Sequence, residues 1–147
     1  MKYVLGIVFL FMSLPAFGGN TAPTNKYVEY SATLKPGKLK PGASGQILIM
    51  LKPHGGIHIN LEPPLNFAFD SSLQFTSSRS ITIPKMKKAN FLDPTKSISI
   101  PFTLTQSASH STTVTLKGTL TYYYCSDAEG WCSRFKQPVE IQCEVVH

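Results

Sequence analysis

Seven short segments of this 147-residue chain alternate apolar and polar residues at a period of two, and that repetition restricts the fold more than any other feature. They are Val28-Tyr30-Ala32-Leu34, Ile47-Ile49-Leu51, Ile57-Ile59-Leu61, Ile81-Ile83, Ile98-Ile100-Phe102-Leu104, Val114 to Tyr124, and Val139 to Val145. Between them lie KPGKLKPG, KPHGG, EPP, FDSS, DPTK and QSASHS, rich in the Gly, Pro, Asp and Ser that bend backbones. No segment carries a sustained helical period. Seven or so strands separated by turns predict an all-β, immunoglobulin-like antiparallel β-sandwich in a single domain.

The N-terminus, MKYVLGIVFLFMSLPAFGGN, places one lysine before an apolar run from Tyr3 to Leu14, followed by Pro15 and the small residues Ala16 and Gly18. This pattern predicts a secretory signal peptide over residues 1–18, with cleavage before Gly19. The mature domain, residues 19–147, is then about 129 residues (147 minus 18), enough to bury a core without staples. It is expected to be periplasmic or secreted and soluble, with no transmembrane span, in a compartment where disulfides persist. The net charge of +6 falls to +5 without Lys2, and the lysines spread over loops such as 35–40 and 85–88. With no interleaved basic and aromatic platform, nucleic acid is not an expected partner.

Two cysteines, Cys125 and Cys132, flank the turn of TLTYYYCSDAEGWC. Counting along the strand at period two, Val114, Leu116, Gly118, Leu120, Tyr122 and Tyr124 share the apolar face. Thr115, Lys117, Thr119, Thr121, Tyr123 and Cys125 share the polar one. Cys125 is therefore expected on the solvent side, where a thiol can meet a partner. Cys143 alternates with Val139, Ile141 and Val145 and reads as a small, inert core residue. A redox pair needs a thiolate, access to sulfur and a second, resolving thiol. Asp127 and Glu129 in the turn oppose thiolate formation, while Arg134 and Lys136 beyond it favour it. The alternative is a structural bridge, which closes an eight-residue loop and stabilises by roughly 2.5 kcal/mol in the chain-entropy model. From the residues alone both roles stand open. The second leads to a non-enzymatic binding module that recognises its target through an edge strand or the Trp131 turn.

His58 and Asn60 alternate with Ile57, Ile59 and Leu61 and so emerge opposite the core. Tyr122 and Tyr124 read as strand packing, with Tyr123 alone on the cysteine side. Trp131 reads as an apolar docking surface or as a tryptophan folded back over the hairpin. His54, His58 and Met50 are donor types that suit copper, but the histidines fit no short metal-ligand spacing, and no metal or cofactor is expected. No Ser-His-Asp arrangement, paired carboxylates or phosphate-binding glycine loop supports hydrolase or nucleotide chemistry.

Taken in order, the GQILIMLKP lead-in, GGIHINLEPP at 55–64, SISIPFTLTQ at 97–106 and TLTYYYCSDAEGWC followed by Pro138-Val139 resemble the N-terminal, immunoglobulin-like periplasmic domain of the DsbD thiol:disulfide interchange reductase. The resemblance covers most of the mature chain. It implies an oxidoreductase or electron-relay domain, here free-standing, that accepts reducing equivalents from a membrane-embedded or thioredoxin-like thiol reductase. These pass to exported thiol or disulfide proteins through Cys125 and Cys132, with no cofactor. It further implies that Cys132 meets the partner and Cys125 resolves. His58 and Asn60 would lie on a strand near the pair, His58 exchanging protons. The segment 85–93 would serve as a cap with Phe91 as its aromatic.

Overall fold

The computed structural model describes residues 23–77 and 80–147. The expected signal peptide lies outside the described residues. Among the described residues nine strands form, in chain order β1 (Val28–Lys35), β2 (Lys38–Leu39), β3 (Ser44–Pro53), β4 (Ile57–Asn60), β5 (Asn66–Phe69), β6 (Phe75–Ser77), β7 (Ile98–Leu104), β8 (Thr113–Ser126) and β9 (Trp131–Val145). They make two sheets, one ordered β1-β3-β7-β6 and the other β2-β9-β8-β4, with β5 also pairing to β8. The fold is the immunoglobulin-like all-β sandwich that the alternation predicts. The two-residue β2 departs from it, running parallel to β9 inside KPGKLKPG.

The core lies between the sheets and is built by the predicted faces. Ile47, Ile49 and Leu51 of β3 and Ile98, Ile100, Phe102 and Leu104 of β7 meet Val114, Leu116, Leu120 and Tyr122 of β8 and Val139, Cys143 and Val145 of β9. Burying each large aliphatic side chain stabilises by about 1.5–3 kcal/mol, so a register slip, which would turn all of them outward, is strongly opposed.

Three local readings are corrected. Ile81 to Ile83 forms no strand: only Thr82 bridges to Ser99. The flanking Pro84 lacks the N–H that would extend the ladder. β5 and β6 are short strands in a stretch where alternation is too brief to detect. The last strand begins at Trp131, eight residues before Val139, because β9 tracks β8 without interruption from Thr113 opposite Glu144 to Ser126 opposite Trp131.

β4 and β5 lie end to end along β8: Ile57 to Asn60 face Ser126 to Tyr123, and Asn66 to Phe69 face Thr121 to Gly118. Glu62-Pro63-Pro64 separates them, since two prolines cannot donate to a ladder. Gly118 lets β5 approach, because a Cβ there would sit 2.6 Å from the Ala68 carbonyl oxygen. Among the described residues no helix is long and apolar enough to cross a membrane.

Candidate functional site

The hairpin between β8 and β9 closes through Asp127-Ala128-Glu129-Gly130. The Gly130 N–H donates to the Ser126 carbonyl (2.9 Å), and Gly130 adopts φ 67°, a left-handed conformation suited to glycine. Four turn residues place Cys125 directly opposite Cys132, with Cα atoms 4.1 Å apart and the sulfurs joined in a disulfide. Opposite residues share a face, so the bridge lies on the outer face of its sheet.

The register of β4 completes two rows on that face. His58, Cys125 and Cys132 form one, and Asn60, Tyr123 and Arg134 form the next. The Asn60 amide donates to Cys125 Sγ at 3.0 Å. His58 Nδ1 lies 3.5 Å from Asp127 Oδ2, which ties the strand to the turn when the imidazole is protonated.

The free edge of β4 is covered by a flap, residues 84–93. Its limbs are joined by Asp93 N–H to the Pro84 carbonyl (2.9 Å) and Met86 N–H to the Phe91 carbonyl (3.0 Å). The returning limb pairs with β4, through Leu92 N–H to the Ile59 carbonyl (2.9 Å) and Leu61 N–H to the Asn90 carbonyl (3.1 Å). Covering an edge in this way satisfies backbone groups that would otherwise template aggregation. Alternation then sends Leu92 into the core and turns Phe91 outward, where its ring stacks on His58 with centroids 3.9 Å apart. The base of the flap is pinned by Asp93, which accepts from Thr95 Oγ1 (2.6 Å) and Thr95 N–H (3.1 Å). The Thr95 hydroxyl, then its N–H, then Lys96 hold the Asp93 carboxyl down to about 2.

The expectation that Cys125 is solvent-exposed is therefore corrected. It lies on the polar side of β8, yet it is only 3 % exposed, whereas Cys132 is exposed. Period-two counting assigns a face and says nothing of what another part of the chain lays over that face. Of the two readings of Trp131, the structure shows the fold-back over the hairpin and overturns the docking surface beside the disulfide. Opposite Ser126, Trp131 belongs to the inner face and packs on Tyr27 (5.3 Å between centroids) and edge-on to Tyr124 (5.8 Å), with its indole N–H bonded to Glu129. It folds back over the end of the core and does not line the disulfide. The structure thus gathers His58, Asn60, Phe91 and Tyr123 with the two cysteines and leaves Trp131 on the opposite side. Arg134, read from sequence only as a nearby positive charge, completes the second row; strand register was the signal that would have placed it.

The arrangement leaves Cys132 within reach of a nucleophile from solvent and keeps Cys125 buried behind it. Cys143 takes no part: it is fully buried in the core, and burial, with Glu144 as a smaller contributor, pushes its thiol pKa up. Alkylation of the native protein is expected to leave Cys143 unmodified at neutral pH, with labelling appearing only on denaturation. Mass spectrometry after brief iodoacetamide exposure checks this, and rapid native labelling would contradict the burial. Among the described residues no group of three or more His, Cys, Asp or Glu side chains is arranged to hold a metal ion.

No family model and no curated protein matches the chain. Among solved structures the chain is similar to the yeast GGA1_GAE domain-P21 crystal structure, at 12% identity and a TM-score of 0.44, over 80% of this chain and 95% of that one. At that level the likeness informs neither the disulfide nor its surroundings.

Proposed function

We propose that this chain carries out thiol:disulfide exchange through Cys125 and Cys132, in the manner of the DsbD periplasmic domain that its sequence resembles. It takes reducing equivalents from a membrane-embedded or thioredoxin-like reductase and passes them to exported thiol proteins. One observation carries the reading: the bridge sits on an outer sheet face at a hairpin end, with Cys132 open to solvent and Cys125 buried beside Asn60 and His58, on whose ring Phe91 of the flap stacks. That asymmetry suits exchange, in which one sulfur is attacked while the other leaves and later resolves. A staple has less to do here. The β8–β9 ladder is continuous on both sides of the bridge, and β4 holds the outer side of β8 as well. The segment 1–18, read as a signal peptide, supports an oxidising compartment in which such a carrier would work.

The reading is tested by the equilibrium reduction potential of the pair in Cys143→Ala protein, measured in glutathione and dithiothreitol buffers. The expected value lies between those of thioredoxin, about −270 mV, and DsbA, about −120 mV, with exchange complete in seconds. A potential well below about −300 mV, or reduction only after denaturation, would leave a stapled hairpin. The search would then move to a binding module that uses its exposed strand edges.

A further inference from the structure

We infer that Asn60 is the hydrogen-bond donor that stabilises Cys125 as a leaving thiolate, a role that rests on the exchange reading above. A thiolate of the dithiol donor, a thioredoxin-like reductase, attacks Cys132 Sγ. A new S–S bond forms to Cys132 as the Cys125–Cys132 bond breaks, and Cys125 Sγ departs with the bonding pair. The donor's second thiolate then attacks the donor sulfur of the mixed disulfide. This forms the donor's own disulfide and releases Cys132 Sγ with its electron pair. The donor loses two electrons, and the pair gains two electrons and takes up two protons.

The difficulty lies at Cys125. At 3 % exposure its sulfur has almost no water to solvate a developing negative charge, and burial by itself disfavours a thiolate. The charged and titratable groups around it do not supply a clear counter-charge. On β4, His58 lies opposite Cys125 but turns Nδ1 toward Asp127. Asp127 and Glu129 in the turn are acidic. Arg134 of β9 sits one row away beside Tyr123, both Arg134 and Lys136 are exposed, and Lys85, Lys87 and Lys88 of the flap are exposed as well. The Asn60 amide is the group aimed at the sulfur, with Nδ2 at 3.0 Å. Hydrogen bonds to a charged acceptor are the strong ones, and a donor to the charged form lowers an acid's pKa. Asn60 is held in place by its strand, paired on one side to Tyr123 and bridged on the other to Phe91. The donor is therefore in position before the charge forms.

The test isolates Cys125 in Cys132→Ser, Cys143→Ala protein and titrates its thiolate by ultraviolet absorbance. Asn60→Leu is expected to raise the midpoint by about one to two pH units. Asn60→Asp, which keeps the shape but sets a carboxylate against the sulfur, is expected to raise it at least as far. A shift in the isosteric variant also separates the effect from a general loss of packing. With both cysteines present, Asn60→Leu is expected to slow reduction by dithiothreitol by about tenfold, because a poorer leaving thiolate departs more slowly. A Cys125 titration unmoved in both variants, in a protein whose disulfide is reduced natively, overturns the role of Asn60 alone. A disulfide that resists dithiothreitol until unfolding overturns the exchange reading and the catalytic role together, even where the Cys125 titration shifts.

Discussion

Replacing Cys132 with serine is expected to abolish mixed-disulfide formation, while replacing Cys125 with serine is expected to make it accumulate. The two cysteines are chemically equal in the unfolded chain and become unequal only in the fold. Cys132 is exposed at the start of β9, whereas Cys125 is buried beside Asn60, with the flap resting on neighbouring β4. In-line attack needs an open approach to sulfur, so Cys132 is the one a partner reaches. Without Cys125 nothing resolves the adduct, and it persists. Without Cys132 the remaining thiol is hidden. The measurement is intact mass after incubation with oxidised glutathione, in a Cys143→Ala background so that the core thiol adds no signal. Adducts on the Cys132→Ser protein together with none on the Cys125→Ser protein would reverse the assignment and show that the flap does not shield Cys125.

Tyr122→Ala is expected to cost the fold about 3–5 kcal/mol, a large part of the 5–15 kcal/mol by which domains are usually stable. Tyr122 is fully buried, 0 % exposed, at the centre of β8, and its ring packs against Tyr124 and Phe135. For a domain of this size the loss lowers Tm by roughly 10–20 °C. Its hydroxyl accepts from Asn25 Nδ2 at 3.2 Å, yet burial outweighs that bond and pushes its pKa up to about 12, with Tyr124 adding a little. Since the folded state holds this proton more tightly than the unfolded chain, the contribution is intact below about pH 10, the unfolded value. It is lost as pH rises from there through about 12, by roughly 2–3 kcal/mol. Urea denaturation at a series of alkaline pH values should show this decline in the wild type and a flatter profile in Tyr122→Phe. Equal slopes in the two proteins would mean that Tyr122 is not the group titrating.

Strand alternation was legible where a strand is long enough to repeat. Val114 to Tyr124 contains several periods, and each apolar residue in it must find the core or stay wet, so sequence and structure agree there. β2 and β6 are two and three residues long and carry no period to detect, and β5 shows only Phe67 and Phe69 in alternation between the turn residues of EPP and FDSS. They form because a neighbour already in place offers unpaired backbone groups, as β8 does for β5. The face of Trp131 depended on the length of a turn. Four turn residues set it against Ser126 on the inner side, and a loop one residue longer or shorter would have reversed it.

The amino-acid sequence by itself determined the fold class and the inward faces of the long strands. It also placed two cysteines at a hairpin and a third in the core, because these follow from the period of a β-strand and from the cost of leaving apolar groups in water. Only the tertiary structure decided that the two hairpin cysteines differ. Burial of Cys125, the aim of Asn60 at its sulfur and the stacking of Phe91 on His58 all come from β4 and a flap brought alongside β8 by non-local pairing. No spacing within the hairpin encodes that meeting. It arises because the open edge of β4 has backbone groups to satisfy, and the flap is the segment that satisfies them.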